Sequence, residues 1–242
     1  MRIQLLHLYP DLMNLYGEYA NVAALRRSLE RQGAEAVVRT GTLYEDIDFS
    51  DADFVYMGAG TESAQLVALE DLRRYTDAVG AALARGVVVL ATGNAMELFG
   101  SSITSPDGTV HAGLGLFPFR TTVSDTARIQ GDCLAVGAAT GQTAVGFVNK
   151  ASQTTEVAHP LFHMEHGPGN AADTAEDGAW EGSFYGTHLI GPLLMKNPHV
   201  NAYFTELLCR RAGLPYQAQD CPHEQRAYEV TLHALQERFR QQ

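Results

Sequence analysis

The sequence predicts an α/β protein built on a doubly wound, mostly parallel sheet with an antiparallel extension, and three observations carry that prediction. Strand and helix patterns alternate through the first hundred residues. The run Gly86-Val87-Val88-Val89-Leu90-Ala91 is apolar throughout, as suits a central parallel strand covered on both faces. Two of the strands end in glycine-bearing turns, Gly58-Ala59-Gly60 and Thr92-Gly93-Asn94, where open α/β sheets place their sites.

In order, Ile3–Tyr9 reads as the first strand, and Asn21–Gln32 as a helix with Val22, Leu25 and Leu29 on one face and Gly33 ending it. Ala36–Arg39 and Phe54–Met57 are the next strands. Glu62–Arg85 follows as one long helix carrying Leu66, Leu69, Leu72, Tyr75, Val79 and Leu83. After the apolar strand comes a short helix, Ala95–Phe99. Beyond Gly100 the pattern changes to short β-like pieces: Thr121–Val123, Ala127–Ile129, Cys133–Val136 and Ala144–Val148. His166–Gly182, rich in Gly, Asp and Ala, reads as an exposed loop, and Phe184–Leu194 as a returning strand. Helices His199–Ala212 and Pro222–Gln241 close the chain. No repeat or linker divides it, so a single domain spanning 1–242 is expected.

Of the 242 residues 45% are hydrophobic and 19% charged, the balance of an ordinary globular protein. The formal net charge of −11, from 28 acidic against 17 basic side chains, repels phosphate backbones and anionic lipid, which argues against nucleic-acid or membrane-surface binding. No apolar run reaches the ~18–20 residues that span a bilayer, and the opening residues lack the apolar core of a secretory signal. Cys133, Cys209 and Cys221 show no pairing or metal-ligand spacing, which fits a reducing cytoplasm. His163-Met164-Glu165-His166 offers three possible ligands in four residues but no further ligand at a recognisable spacing, so no metal site is expected, and no cofactor.

Three turns attract attention: Gly58-Ala59-Gly60, Thr92-Gly93-Asn94, and Gly186-Thr187-His188-Leu189-Ile190-Gly191-Pro192. A strand-to-helix elbow exposes one side chain at the top of a sheet and aims backbone N–H groups at the same point, the geometry of a nucleophile with its oxyanion hole. Taken singly, each is equally well a packing turn. In order and spacing they are more specific. The segments Tyr9-Pro10-Asp11-Leu12-Met13-Asn14-Leu15-Tyr16-Gly17 and Asn21-Val22-Ala23-Ala24-Leu25-Arg26, then Met57-Gly58-Ala59-Gly60, Ser105-Pro106-Asp107-Gly108, Gly113-Leu114-Gly115-Leu116, Ala127-Arg128-Ile129-Gln130-Gly131-Asp132, Val145-Gly146-Phe147 with Asn149, and Gly191-Pro192-Leu193-Leu194-Met195-Lys196-Asn197-Pro198, run in register over essentially the whole chain. They resemble class I glutamine amidotransferases of the cobyric acid synthase-like branch, nearest the glutaminase subunits of lipid II isoglutaminyl synthases. The resemblance implies a flavodoxin-like three-layer fold and a hetero-oligomer with a Mur-ligase-like, ATP-dependent subunit that amidates a cell-wall precursor.

The departures from that pattern bear on function. Where the family has Cys-Gly-Gly, an aromatic, Gln, two apolar residues and Gly, this chain has Gly93-Asn94-Ala95-Met96-Glu97-Leu98-Phe99-Gly100. Where the family has Gly-Thr-Tyr-Leu-His-Gly-Pro, Ile190 stands at the histidine, and Val148-Asn149-Lys150 stands for Glu-Asn-His. The nucleophile position is therefore Gly93 and the base position Ile190, and neither residue can do the chemistry. Thr92 points to the other strand face. His188, two residues before Ile190, is the candidate substitute, with a half-exposed strand histidine as the bland alternative. Arg128 matches the position expected to hold a substrate carboxylate, with a surface arginine equally open; Gly58, Ala59, Gly60 and Asn94 are the other expected binding residues, the Asn94 side chain being expected to stabilise its own turn.

Two classes of function follow. One is a non-hydrolysing structural or glutamine-sensing subunit. The other is an active amidotransferase or small-amide hydrolase that uses His188 and an unconventional nucleophile. A cavity holding His188 beside a hydroxyl favours the second; one filled by Ile190 and Met96 counts against it. A stand-alone protein binding glutamine or another small carboxylate is a third possibility, and it requires Arg128.

Overall fold

The computed structural model describes residues 1–241. In chain order its first half contains β1 (Arg2–Leu8), α1 (Tyr19–Arg31), β2 (Glu35–Gly41), β3 (Phe54–Met57), α2 (Glu62–Leu72), α3 (Thr76–Ala84), β4 (Val88–Thr92), β5 (Ser102–Thr104), β6 (Val110–Ala112) and β7 (Arg120–Val123). The second half contains β8 (Ile129–Gly137), β9 (Thr143–Lys150), β10 (Ser152–Thr155), β11 (Phe162–His166), β12 (Glu176–Asp177), β13 (Ala179–Glu181), β14 (Phe184–Thr187), α4 (Leu193–Lys196), α5 (Pro198–Arg211) and α6 (Pro222–Arg240).

The central sheet has the order β13-β14-β4-β3-β1-β2. Its strands are parallel except β13, which extends the edge antiparallel to β14. Alternation sorts the sheet's side chains into two cores. Ile3, Leu5, Phe54, Tyr56, Val88 and Leu90 face α1 and α5, meeting Leu25, Leu29, Phe204 and Leu208. Leu6, Leu8, Val55, Met57, Val89 and Ala91 face α2 and α3, meeting Leu69, Leu72, Val79 and Ala82. β3 and β4 therefore read as unbroken apolar runs because both of their faces are covered.

The remaining strands make two four-stranded sheets, β10-β7-β5-β6 and β12-β11-β8-β9. On the latter, α6 lays Leu235 against Leu134 and Val145, with Tyr228, Leu232 and Phe239 beside them.

Four expectations need correction. The single helix expected over Glu62–Arg85 is two helices with a 3-10 turn, Arg73–Tyr75, between them. That tightening turns Tyr75 onto Phe49 (ring centroids 5.8 Å) and lets its hydroxyl reach the Glu45 carbonyl at 2.7 Å. The strand expected over Phe184–Leu194 stops at Thr187, because Asp177 accepts from the Thr187 hydroxyl and the His188 amide, and Gly191 at φ +83° turns the chain into α4. The loop expected over His166–Gly182 contains β12 and β13 and buries Asn170 and Asp177. Lastly, the short helix after β4 is a 3-10 turn over Gly93–Phe99.

Candidate functional site

A cavity of about 220 Å³ lies beyond the carboxyl ends of the central strands, where open α/β sheets bind ligands. β3 delivers Ala59 and Gly60 to it, β4 delivers Gly93 and Asn94, and the chain after β14 delivers Ile190.

The elbow is sharp: Gly93 has φ +62°, in the left-handed region where a side chain is strained. A Cβ built on Gly93 would lie 2.5 Å from the Ala59 Cβ and 3.0 Å from the Ile190 Cγ2. Ile190 is held in place by its N–H donating to the Phe147 carbonyl at 2.9 Å. The space a nucleophile would use is thus occupied by two methyl groups.

Asn94 reaches across the cleft rather than into its own turn. The Gly60 N–H donates to Asn94 Oδ1 at 3.0 Å and Asn94 Nδ2 donates to the Gly60 carbonyl at 3.0 Å. This reciprocal pair replaces the local turn bond expected for that side chain. The Asn94 carbonyl in turn accepts from Gln65 Nε2 at 2.7 Å.

On the rim, Arg128 lines the cavity, but its guanidinium is already engaged. It pairs with Glu62 and donates to Asn149 Oδ1 at 3.0 Å, with about 45% of the side chain exposed. Gly58 is a packing glycine: a Cβ there would sit 2.5 Å from the Glu18 Cβ and 2.7 Å from the Met13 carbonyl.

A buried polar network forms the floor of the cavity, which Gln65, Glu97, Lys150 and Ser152 help to line. Gln65 Nε2 donates to Glu97 Oε2 at 2.7 Å, the Ser152 hydroxyl donates to Glu97 Oε1, and His188 Nε2 lies 3.5 Å from Oε1. His188 Nδ1 is 2.8 Å from Asp177 Oδ1. Lys150 Nζ donates to the Asn170 carbonyl at 2.7 Å. Burial acts to raise the Glu97 carboxyl, but the hydrogen bond and charge of His188, with Ser152 and Gln65, outweigh it and hold it below its ordinary value. Asp177 is likewise held low against its burial, by His188, Lys150 and Thr187. Burial lowers the Lys150 ammonium against the opposing fields of Asp177 and Glu97. Next to it, Glu18 Oε2 accepts from the Tyr56 hydroxyl at 2.7 Å and from Thr92, while Oε1 accepts from the Gly191 N–H at 3.1 Å. Thr92 is thereby turned away from the cavity, as strand alternation predicts.

His188 is neither the cleft histidine of the candidate reading nor the half-exposed strand histidine of its alternative. It is buried below the cavity with both ring nitrogens facing carboxylates, because β14 has already ended and the chain turns inward around Asp177. Met96 is buried too, packed against Gly186 rather than lining the cleft. The cysteines stay apart from the site. Cys209 packs in the α5 core, the buried Cys133 thiol is pushed up to about 12 by desolvation, and Cys221 lies beside Arg31. Among the described residues no group of three or more His, Cys, Asp or Glu is placed to hold a metal ion; His166 instead stacks on Phe239 at 4.4 Å. The sequence reading missed Glu97, Ser152, Asp177, Lys150 and Gln65 as a group. The signal for it was present: Glu97 stands where the resembling pattern has Gln, His188 where it has Tyr, and Lys150 where it has His, and these three meet in one network.

Residues 4–198 match the CobB/CobQ-like glutamine amidotransferase domain family. The chain is 30% identical over 218 residues to the lipid II isoglutaminyl synthase (glutamine-hydrolyzing) subunit GatD of Staphylococcus aureus (strain N315), covering 90% of this chain and 89% of that protein. The subunit of the same name from Streptococcus pneumoniae (strain ATCC BAA-255 / R6) is 26% identical over 82% of this chain and 77% of its own length. Among solved structures, PurLQS from Thermotoga maritima superposes with a TM-score of 0.56 at 11% identity, over 88% of this chain and 99% of that one. A crystal structure of a glutamine amidotransferase superposes at 0.54 with 15% identity, over 84% and 98%. The solved structures support the fold, and the sequence matches fix the lineage: this chain belongs to the CobB/CobQ-like glutamine amidotransferase family.

Proposed function

We propose that this chain is a glutamine amidotransferase-like subunit that does not hydrolyse glutamine and that serves, as a structural or glutamine-sensing partner, a Mur-ligase-like, ATP-dependent enzyme amidating lipid II. The observation that carries the reading is the elbow cavity, whose lining contains neither a thiol nor an imidazole. Glutamine hydrolysis through a thioester requires a sulfur to bond the amide carbon as the C–N bond breaks, and a proton carrier to protonate the departing ammonia. Gly93 offers no atom for the first step and Ile190 no proton for the second. Removing one member of such a unit costs on the order of 10⁶ in kcat. The names of the two curated relatives supply the lipid II context; the match over 89% and 77% of their lengths supports a subunit of the same assembly.

One arrangement favours the rival reading of a small-amide hydrolase: the Ser152 hydroxyl donating to Glu97, backed by His188 and Asp177. Two features oppose it. Ser152 and Glu97 line the cavity but expose little of themselves to it, and a carboxylate held below its ordinary value is a weak base.

The test is glutamate release from glutamine by the wild-type chain, alone and with its ligase partner. No release above the uncatalysed rate is expected, and omitting the chain should lower the ligase's rate even with free ammonia supplied. Wild-type turnover abolished by Ser152→Ala would establish the rival; a ligase indifferent to the chain would remove the structural role.

A further inference from the structure

Resting on the non-hydrolysing, structural arm of that reading and opposing its glutamine-sensing arm, we infer that Asn94 is a built-in substitute for a ligand carboxamide. With the Ala59 methyl it closes the amide end of the cavity, so the site excludes the glutamine side chain rather than merely failing to cut it.

Three observations support this. The Gly60 N–H, which points into the elbow from the end of β3, is satisfied by Asn94 Oδ1 at 3.0 Å, and the Gly60 carbonyl by Asn94 Nδ2 at 3.0 Å. A primary amide has one acceptor and one donating NH₂, and here both ends are matched by the same backbone unit 34 residues away. An entering carboxamide would have to displace an intramolecular one that is always present at high effective concentration. The second observation is steric. The 2.5 Å approach of a Gly93 Cβ to the Ala59 Cβ is closer than real Cβ atoms come, and both atoms are fixed to backbone, so no rotamer change relieves it. The third is support from behind: Gln65 Nε2 holds the Asn94 carbonyl at 2.7 Å and Glu97 Oε2 at 2.7 Å, tying the plug to the buried network. The cavity that remains runs from Arg128, Asn149 and Tyr16 at the rim to the Asn94 and Ala59 side chains at the elbow.

The decisive measurement is calorimetric binding of glutamine and of glutamate to wild type, Asn94→Ala, and Ala59→Gly/Asn94→Gly. Opening the plug should tighten glutamine by at least about tenfold without a matching gain for glutamate; a merely structural Asn94 would give no amide-specific gain. The single Asn94→Ala substitution keeps the Ala59 packing, so the question is answered even where the paired variant folds poorly. On wild type itself, the Asn94 side-chain amide protons should remain protected from exchange when glutamine is added. Loss of that protection on adding glutamine, or equal glutamine affinity in wild type and folded variants, overturns the inference.

Turnover separates this inference from the reading beneath it. Gly93→Cys/Ile190→His alone should release no glutamate, whereas adding Ala59→Gly/Asn94→Gly should restore release. Turnover by the first pair alone overturns the plug and leaves the non-hydrolysing wild type standing. Turnover by wild type overturns the reading beneath it.

Discussion

Three side chains at the base of the site, Glu97, His188 and Lys150, depart together from the pattern the family keeps there, and the structure shows why they must be considered together. Each is buried, so water no longer solvates its polar end. His188 stands between Asp177 and Glu97, and Lys150 adds its amine to the same network. A buried ion network of this kind is weak evidence for extra stability, but breaking it from one side is expensive. His188→Ala should therefore cost about 3–5 kcal/mol in urea unfolding, because it leaves two carboxylates facing each other without their shared partner. Glu97→Gln in that background should cost less than Glu97→Gln in wild type, by about 0.5–3 kcal/mol of coupling. Strict additivity in the double-mutant cycle would show that the pair does not interact.

Among the elements, α2 links the rim to the interior. Its first turn is capped by Thr61, whose side chain accepts from the Ala64 N–H at 3.1 Å, and one turn later it presents Gln65 to Asn94 and Glu97. Thr61→Ala should lower stability by about 1 kcal/mol through the lost cap. It should also loosen the Gln65 contacts, read as faster exchange of the Asn94 side-chain amide; a stability loss with unchanged exchange would confine Thr61 to capping. At the same scale, the polar stretch after His166 shows the limit of composition. It looked like exposed loop because Gly, Asp and Ala dominate it. Yet Asn170 donates to the Gly178 carbonyl at 3.0 Å and accepts from its amide at 2.9 Å, and Asp177 is bonded on both oxygens. Polar residues can be buried when every polar atom finds a partner, and no local pattern announces that partner.

For the whole molecule, acid stability follows from which groups the fold holds uncharged. Among the described residues no helix is long and apolar enough to cross a membrane, and the cores on the two faces of the central sheet dominate. His7 sits in β1 against the Tyr56 ring (5.2 Å) with Nε2 unpartnered, and burial lowers it from 6.5 to about 4. A depressed folded value means the stability is complete above the unfolded value and is lost as pH falls toward the folded one. Unfolding free energy should thus fall between pH 6.5 and about 4, by on the order of 3 kcal/mol from this group at the acid end, and the melting temperature should fall with it. His199, lowered by burial to about 4, acts in the same direction but is more exposed and contributes less. Glu97 and Asp177, also held low, add their loss at still lower pH. His7→Leu should flatten the first part of the profile; an unchanged slope between pH 6.5 and 4 would remove His7 as its source.

The sequence by itself determined the doubly wound α/β fold, the place of the elbow and the absence of a thiol at Gly93 and an imidazole at Ile190. These rest on period, glycine position and residue identity, which are local properties of the chain. Only the tertiary structure decided what fills the vacated site. The 34-residue reach of Asn94 to Gly60, the methyl of Ala59 in the nucleophile's space, and the inward turn of His188 onto Asp177 all join segments far apart in the chain. Such contacts depend on how β3, β4 and β14 stand side by side in the sheet, a relation set by packing of both cores rather than by any stretch of sequence read alone.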